Sequence, residues 1–213
     1  MPCFFPSTFR HVALVPQFHA FVGSLRGLTH LKLSNCCTDQ LMAVVGANCK
    51  NLEVLDAEED SEMNCTDHGL AFLANCQKLR TVILNDAGDE YDYEDRYFGI
   101  TGKGVANLLI ALPRLSLLMC EPYLLREAIK FVHTINVNGL TYKLTYLHTR
   151  FPDRDFLMCA TSLCPEILEL VVEDQGRDCA EALTRMTSLE CLTLENYSWS
   201  FADERFYQTC FSR

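Results

Sequence analysis

Cysteine and histidine are the residues of this chain best suited to nucleophilic or metal chemistry, and its 213 residues include 12 cysteines and six histidines. No Cys-x-x-Cys pair occurs, although closely spaced cysteine pairs are typical of zinc sites. Cys159 and Cys164 lie in a stretch of helical period, where packing is favoured over metal binding. His30 and Cys36 are too far apart along one strand and its turn to form a thiol–imidazole pair. We therefore predict no catalytic and no metal-binding residues, and an enzyme is the least favoured class.

A phosphate-binding loop is the next kind of site that the residue types allow. Segment 99–104, Gly-Ile-Thr-Gly-Lys-Gly, contains a Gly-Lys pair but lacks the eight-residue spacing of a Walker motif. Thr101 is better placed to cap the start of a helix, with the following glycines easing the turn. We therefore predict no cofactor.

Charge and apolar run length exclude two further classes of partner. The 28 acidic and 18 basic residues give a net charge of −10, which disfavours binding to a phosphate backbone. No stretch approaches the ~20 consecutive apolar residues of a membrane-spanning helix. We therefore expect neither a nucleic acid nor a membrane as partner. Many free cysteines are typical of a reducing compartment, so we expect the cytoplasm, with the nucleus as the alternative.

An internal repeat predicts the strands and helices that must position any binding residues. The frame Leu-x-x-Leu-x-Leu recurs with first positions 28, 52, 79, 115, 144, 167 and 189, and the fifth copy is degenerate. Between frames the apolar residues take helical spacing, and Thr38-Asp39 and Thr66-Asp67 are natural helix starts. Each unit therefore reads as a short strand, a turn and a helix. One such unit cannot bury its apolar faces alone, so we predict stacked units with parallel strands on a concave face and helices outside.

The residues of the first two units resemble a known repeat family. Residues 28–36 read Leu-Thr-His-Leu-Lys-Leu-Ser-Asn-Cys, followed by Cys-Thr-Asp-Gln-Leu at 37–41 and Ala-Asn-Cys-Lys-Asn-Leu at 47–52. Cys-Thr-Asp-His-Gly-Leu at 65–70 and Ala-Asn-Cys-Gln-Lys-Leu at 74–79 repeat the pattern. This is similar to the cysteine-containing leucine-rich repeat of F-box/LRR proteins.

The resemblance implies an α/β leucine-rich repeat solenoid, or horseshoe, over about residues 24–196. We expect a single domain spanning 1–213, with 197–213 as a C-terminal cap or tail. In this repeat class the cysteines pack in the interior. The corresponding positions here are Cys36, Cys49, Cys76 and Cys164.

The resemblance also implies a function in protein recognition. Its most concrete form is the substrate-binding part of an F-box/LRR-like subunit of an SCF-type ubiquitin ligase, acting in ubiquitin-dependent protein degradation. The F-box itself is not seen, because residues 1–24 are too short for its three helices. A Skp adaptor and a cullin are thus expected only if an F-box lies in a longer product. The alternative is a stand-alone leucine-rich repeat scaffold or inhibitor that binds a basic protein and has no link to ubiquitin.

The repeat frame also predicts which side chains a partner protein would meet, because alternate residues of a strand face opposite sides. The residues predicted to bind a partner on the concave face are Val54, Asp56, Thr81, Ile83, Asn85, Leu117, Met119, Glu121, Tyr146, His148, Arg150 and Val171. The same alternation puts Glu169, Glu173 and Glu195 on that face. An apolar centre with charged margins is typical of a partner site. The alternative is that a terminal segment covers these residues, or that the frame is shifted in the degenerate repeats.

Acidic residues cluster after the second and third strands, at the same end of each. We name as the acidic rim the residues Glu58, Glu59, Asp60, Asp86, Asp89, Glu90, Asp92, Glu94 and Asp95. The second of these clusters lies in the longest interval between frames, among the aromatic residues Tyr91, Tyr93 and Tyr97. A rim of like charge attracts a basic partner. A solvated surface that only aids solubility is the alternative.

Overall fold

Helices and strands alternate along the chain in the computed structural model, which describes residues 15–34, 36–57, 64–84, 99–136, 138–150, 152–173 and 179–195. In chain order the elements are α1 (Val15–Ser24), β1 (His30–Lys32), α2 (Asp39–Asn48), β2 (Val54–Asp56), α3 (Asp67–Leu73), β3 (Thr81–Ile83), α4 (Gly102–Ala111), β4 (Leu117–Met119), α5 (Pro122–Ile135), β5 (Tyr146–Arg150), α6 (Arg154–Leu163), β6 (Glu169–Glu173), α7 (Ala180–Thr184) and β7 (Cys191–Glu195). Each predicted repeat therefore contributes one strand, and a helix connects each strand to the next.

The strands are parallel and follow one another in chain order, β1 to β4 in one sheet and β5 to β7 in a second. In the first sheet, the buried residue at the centre of each strand is aligned with that of its neighbours, so that Leu31 pairs with Leu55, Leu55 with Val82, and Val82 with Leu118. Helices pack on helices in the same order. The predicted α/β leucine-rich repeat solenoid, with strands on one side and helices on the other, is confirmed.

The fifth repeat forms a regular strand although its frame is degenerate. Leu147 of β5 is fully buried and pairs with Leu170 of β6, so the register assigned from the sequence holds here as well. The helix before this strand, α5, has 14 residues and buries Leu125, Ile129 and Val132. One correctly placed leucine is enough to fix the strand because neighbouring repeats supply the rest of the core.

The two sheets meet at a junction between β4 and β5 that lacks a regular ladder among the described residues. One backbone hydrogen bond crosses it, in which Thr145 N–H donates to the Ser116 carbonyl at 2.8 Å. At the equivalent step between β5 and β6, both Leu168 N–H and Glu169 N–H donate to the Thr145 carbonyl. On the helical side α5 packs against both α4 and α6. The apolar core is therefore continuous where the backbone ladder is not.

A threonine and an aspartate tie successive helices together. Thr38, Thr66 and Thr101 are the N-caps of α2, α3 and α4, and each hydroxyl accepts from a backbone N–H in the first turn. Asp39 in α2 accepts hydrogen bonds from the backbone N–H and the hydroxyl of Thr66, each at 2.7 Å. Asp67 in α3 accepts the same pair from Thr101. The cap of one helix is thus held by the helix before it.

This contact predicts how stability changes with pH. Burial would raise the pKa of Asp39, but hydrogen bonds from Thr66 and Gly69 outweigh it and hold the pKa below the usual 3.8. The unfolded chain therefore takes up this proton first as the pH falls, so the contribution is complete above about pH 5 and declines as the pH falls through the usual value of 3.8. We expect Asp39→Asn to reduce the loss of stability between about pH 5 and pH 3, measured by urea unfolding at each pH.

The control for this experiment is Asp155→Asn, which changes an exposed carboxylate in the first turn of α6. We expect it to follow the wild-type pH profile. Equal profiles for Asp39→Asn and the wild type would show that the bond from Asp39 to Thr66 does not contribute to acid stability.

Buried cysteines fill repeat positions, as expected at three of the four sites. Cys49, Cys76 and Cys164 are buried, whereas Cys36 is only half-buried at the surface of the core, so its predicted interior position is wrong. Cys36 lies in the segment between β1 and α2 and packs against the outside of the core. Burial raises the pKa of Cys76 to about 11 and that of Cys164 to about 12. These thiols are therefore protonated packing groups at neutral pH.

Thr149 is a polar residue in the core position that the frame normally gives to an apolar side chain. It is fully buried, and its hydroxyl has no hydrogen-bond partner within the described part of the chain. A buried hydroxyl without a partner costs about 1–3 kcal/mol. We expect Thr149→Val, which keeps the shape of the side chain, to raise the free energy of unfolding by about 1–2 kcal/mol in urea titrations.

Thr145→Val is the matched control, because the Thr145 hydroxyl donates to the Ser116 carbonyl at 3.1 Å. It removes a made hydrogen bond and should lower the free energy of unfolding by about 1 kcal/mol. If both substitutions change the free energy of unfolding equally and in the same direction, the Thr149 hydroxyl is not an unsatisfied hydrogen-bonding group.

Candidate partner-binding face

The outward residues of β2, β3 and β4 form two rows across the first sheet. Val54, Thr81 and Leu117 are paired in one row, and Asp56, Ile83 and Met119 in the other. All six side chains are half-buried, while the residue between them in each strand is fully buried. The structure thus brings together six of the residues predicted for the concave face.

The outward residues of β5, β6 and β7 form three rows across the second sheet. The first contains Tyr146, Glu169 and Cys191. The second contains His148, Val171 and Thr193, and the third contains Arg150, Glu173 and Glu195. Four predicted residues therefore share this sheet with three glutamates that the alternation of the strands also indicates.

The environments of two predicted concave-face residues differ from those that the repeat frame predicts. Val171 lies on the concave side but is 8% exposed, and its direct row neighbours are His148 and Thr193. Large side chains on adjacent strands can cover a short one, so Val171 forms the floor of the face instead of a contact point. Glu121 lies two residues beyond β4, at the N-cap of α5, so its predicted place in the strand row is wrong. Pro122, the first helical residue, fixes the helix start there.

The remaining predicted residues lie outside the described part of the chain. These are Asn85 and the whole acidic rim, Glu58, Glu59, Asp60, Asp86, Asp89, Glu90, Asp92, Glu94 and Asp95. The C-terminal cap or tail at 197–213 lies outside it as well.

Lys32 and Arg150 of the concave face form ion pairs with carboxylates of the same face, and His148 lies against one. Lys32 pairs with Asp56 at 3.4 Å. Glu173 lies 2.7 Å from His148 Nε2 and 3.6 Å from Arg150 Nε. Because Lys32 and Arg150 pair within the face, they leave little positive charge to attract an acidic partner.

Glu169 and Glu195 are exposed and make no ion pair with any residue that the structure describes. Burial raises the pKa of the half-buried Tyr146, and the carboxylates of Glu169, Glu195 and Glu173 raise it further. The phenol therefore lies in the combined field of three glutamates. The second sheet presents a negative surface beside the apolar rows of the first.

The described residues contain no arrangement suited to catalysis by a metal. No group of three or more histidine, cysteine or acidic side chains there could hold a metal ion. Within the same residues, no helix combines the length and the apolar character that crossing a membrane requires.

Comparison with known proteins finds likenesses among solved structures only. No family model matches the sequence, and no curated protein matches it. Among solved structures, an internalin from Listeria monocytogenes aligns with a TM-score of 0.47 and 14% sequence identity. The alignment covers 84% of this chain and 50% of the internalin, so the chain spans about half of that protein's length.

Proposed function

We propose that this chain is a protein-recognition module and that its partner binds the concave face. The observation that carries the proposal is the apolar centre of the first sheet. Val54, Ile83 and Leu117 are half-buried side chains in two adjoining rows, and Met119 extends the second row. A face meant only for water would be mostly polar at these positions, and apolar patches of this kind mark interaction sites.

The proposal includes no enzymatic activity. Nucleophilic catalysis by cysteine needs a thiolate, which requires a lowered pKa. Burial instead raises the pKa of Cys49, Cys76 and Cys120, the last to about 12. Binding to a protein surface needs only the shape and the exposed chemistry of the sheet.

In its most concrete form, the proposal makes this module the substrate-binding part of an F-box/LRR-like subunit of an SCF-type ubiquitin ligase. Its support is the residue pattern of the first units, with Thr-Asp at helix starts and cysteines buried at equivalent places. The Skp adaptor and the cullin would bind through an F-box in a longer product. The proposed compartment is the cytoplasm, with the nucleus as the alternative.

The second candidate is a stand-alone scaffold or inhibitor that binds a basic protein without any link to ubiquitin. It is favoured by the exposed carboxylates of Glu169 and Glu195, which make no ion pair among the described residues. Both candidates use the same face, so a test of the face precedes a test of the ligase.

Photo-crosslinking tests the face. The full chain is expressed in cells with benzoylphenylalanine in place of Ile83 or of Met119, and for control in place of Ile110, which is 41% exposed on α4. We expect a discrete partner to be crosslinked from the two strand positions and not from the helix position. Crosslinking of that partner from Ile110 alone would place binding on the helical side and overturn the proposal.

The ligase and the scaffold are separated in the same cells. If the module serves a ligase, the Skp adaptor and a cullin co-purify with the full gene product, and the half-life of the crosslinked partner lengthens when that product is depleted. A crosslinked partner whose half-life does not change, in a complex without a cullin, favours the scaffold.

A further inference from the structure

We propose that Asn138 is a site of spontaneous deamidation, at which the backbone nitrogen of Gly139 attacks the side-chain carbonyl carbon and an aspartyl or isoaspartyl residue forms. The two residues follow α5 in the connection to β5, and both are exposed. Asparagine is one of the thermally labile residue types. The reaction needs water and no enzyme, so it is independent of which partner the concave face binds.

The reaction is a ring closure followed by a hydrolysis. The Gly139 nitrogen bonds to Cγ of Asn138, the bond from Cγ to the side-chain nitrogen breaks, and ammonia leaves with the proton that the Gly139 nitrogen has lost. Water then opens the cyclic imide at either of its two carbonyl carbons. Opening at Cγ gives aspartate. Opening at the backbone carbonyl carbon gives isoaspartate, in which the main chain runs through the side chain and is one methylene longer.

The backbone of Gly139 is open to this chemistry. Among the described residues it is the only glycine with a positive φ, of 62°, a conformation that glycine adopts without the steric cost that a side chain brings. A Cβ built on it would have no neighbour within 4 Å, so no other part of the described chain covers this point. Its N–H donates to the Asn136 carbonyl at 3.3 Å, a long and therefore weak hydrogen bond.

Other described asparagines lack this combination of features. The amides of Cys49 and Cys76, which follow Asn48 and Asn75, each donate to a backbone carbonyl at 2.8 Å. Both cysteines are fully buried, so their nitrogens reach a side-chain carbonyl only after local opening of the fold. The side-chain nitrogens of Asn48 and Asn75 are also hydrogen-bonded to backbone carbonyls. Asn107 is exposed, but the amide after it lies inside α4.

The modification changes a small and well-defined turn. The Asn136 side chain donates to the Leu140 carbonyl at 2.7 Å and accepts from the Leu140 N–H at 2.9 Å, which holds the two ends of the turn together. Just beyond it, Tyr142 N–H donates to the Leu163 carbonyl at 2.7 Å and fixes the chain to the end of α6. A main chain lengthened by one methylene inside the turn cannot keep both Asn136 bonds, and the Tyr142 anchor confines the change to the turn.

Ageing of the full chain tests the site. The folded protein is incubated in mildly alkaline buffer and digested at acidic pH, where ring closure is slow, and its peptides are analysed by mass spectrometry. Isoaspartate is detected by methyl transfer from radiolabelled S-adenosylmethionine with a purified isoaspartyl methyltransferase. We expect the peptide that contains Asn138 to accumulate product severalfold faster than the peptides that contain Asn75 or Asn107.

Substitutions at the two positions identify the reacting groups. Gly139→Ala should slow the reaction severalfold, because the methyl group hinders the approach of the nitrogen. That methyl group meets no other residue, although alanine is disfavoured at a positive φ. Asn138→Gln keeps Gly139 and should remove most of the product, because the longer side chain closes a larger ring more slowly. The matched control, Asn107→Gln, should leave the product at Asn138 unchanged.

Three results would overturn the inference. The first is product at Asn138 that appears only when the chain is unfolded in guanidinium chloride, because the fold would then protect the turn. The second is a rate in the folded chain equal to those at Asn75 and Asn107, and the third is a Gly139→Ala variant that reacts as fast as the wild type. None of them bears on the proposed function, because Asn138 and Gly139 lie outside the strands of the concave face.

Discussion

Phe156→Ala is expected to lower the free energy of unfolding by about 3–5 kcal/mol. Phe156 is the bulkiest of the fully buried side chains that the structure describes, and it lies in the first turn of α6. Its removal leaves a cavity that the surrounding helices cannot fill completely. Phe156→Leu keeps most of the volume and should cost about 1–1.5 kcal/mol.

The loss of stability caused by Phe156→Ala should also be confined to the repeats around α6. In a solenoid, each repeat is stabilised mainly by its neighbours. Among the described residues, one backbone hydrogen bond, from Thr145 to Ser116, joins the β4 and β5 repeats in the plane of the sheets. We therefore expect β5 to β7 of Phe156→Ala to open at a lower urea concentration than β1 to β4.

Hydrogen exchange measured by mass spectrometry in a urea series checks this order. Peptides covering 146–150 and 169–173 should lose protection before peptides covering 54–56 and 81–83. Simultaneous loss in both sheets would show that the continuous helical core, and not the ladder, sets the cooperative unit. The wild-type chain serves as the reference in each urea concentration.

The positions of strands and helix starts could be predicted because each depends on local pattern. Leu55 and Val82 occupy the same place in the frame, and its apolar spacing predicts the alternation of buried and outward residues seen in β2 and β3. Thr66 caps α3 because a threonine hydroxyl before an apolar helical run satisfies an otherwise free backbone N–H. These features need no knowledge of distant residues.

The features that sequence did not reveal depend on contacts across repeats. The burial of Val171 is set by the side chains of the flanking strands, and the incomplete ladder beside Thr145 depends on how two repeats meet. The frame places Glu121 in line with the strand, but Pro122 starts a helix at the next residue. For the candidate site, the alternation places glutamates on the face, and only the structure distinguishes Glu173, which is paired, from Glu169, which is not.

A methyl group added at the contact between α2 and α3 is the second large perturbation. Gly46 is buried in α2, and a Cβ atom built on it would lie 2.9 Å from the carbonyl carbon of Phe72 in α3 and closer still to the carbonyl oxygen. Backbone atoms cannot move aside as a flexible side chain can. Alanine here must push the two helices apart and disturb the packing of Leu70 and Leu73.

Two effects of Gly46→Ala oppose each other, and their magnitudes decide the sign. Alanine favours a helix over glycine by about 1 kcal/mol. Overpacking a close contact costs about 1–3 kcal/mol and more where backbone must shift. Because the clash is with backbone, we expect a net loss of about 2 kcal/mol in the free energy of unfolding, read from urea titrations.

Gly27→Ala is the matched control, since a Cβ there has no neighbour within 4 Å, and it should change stability by less than about 1 kcal/mol. If the Gly46→Ala variant is as stable as the Gly27→Ala variant, α2 and α3 do not pack backbone to backbone. That result would contradict the stacking of the first repeats described above.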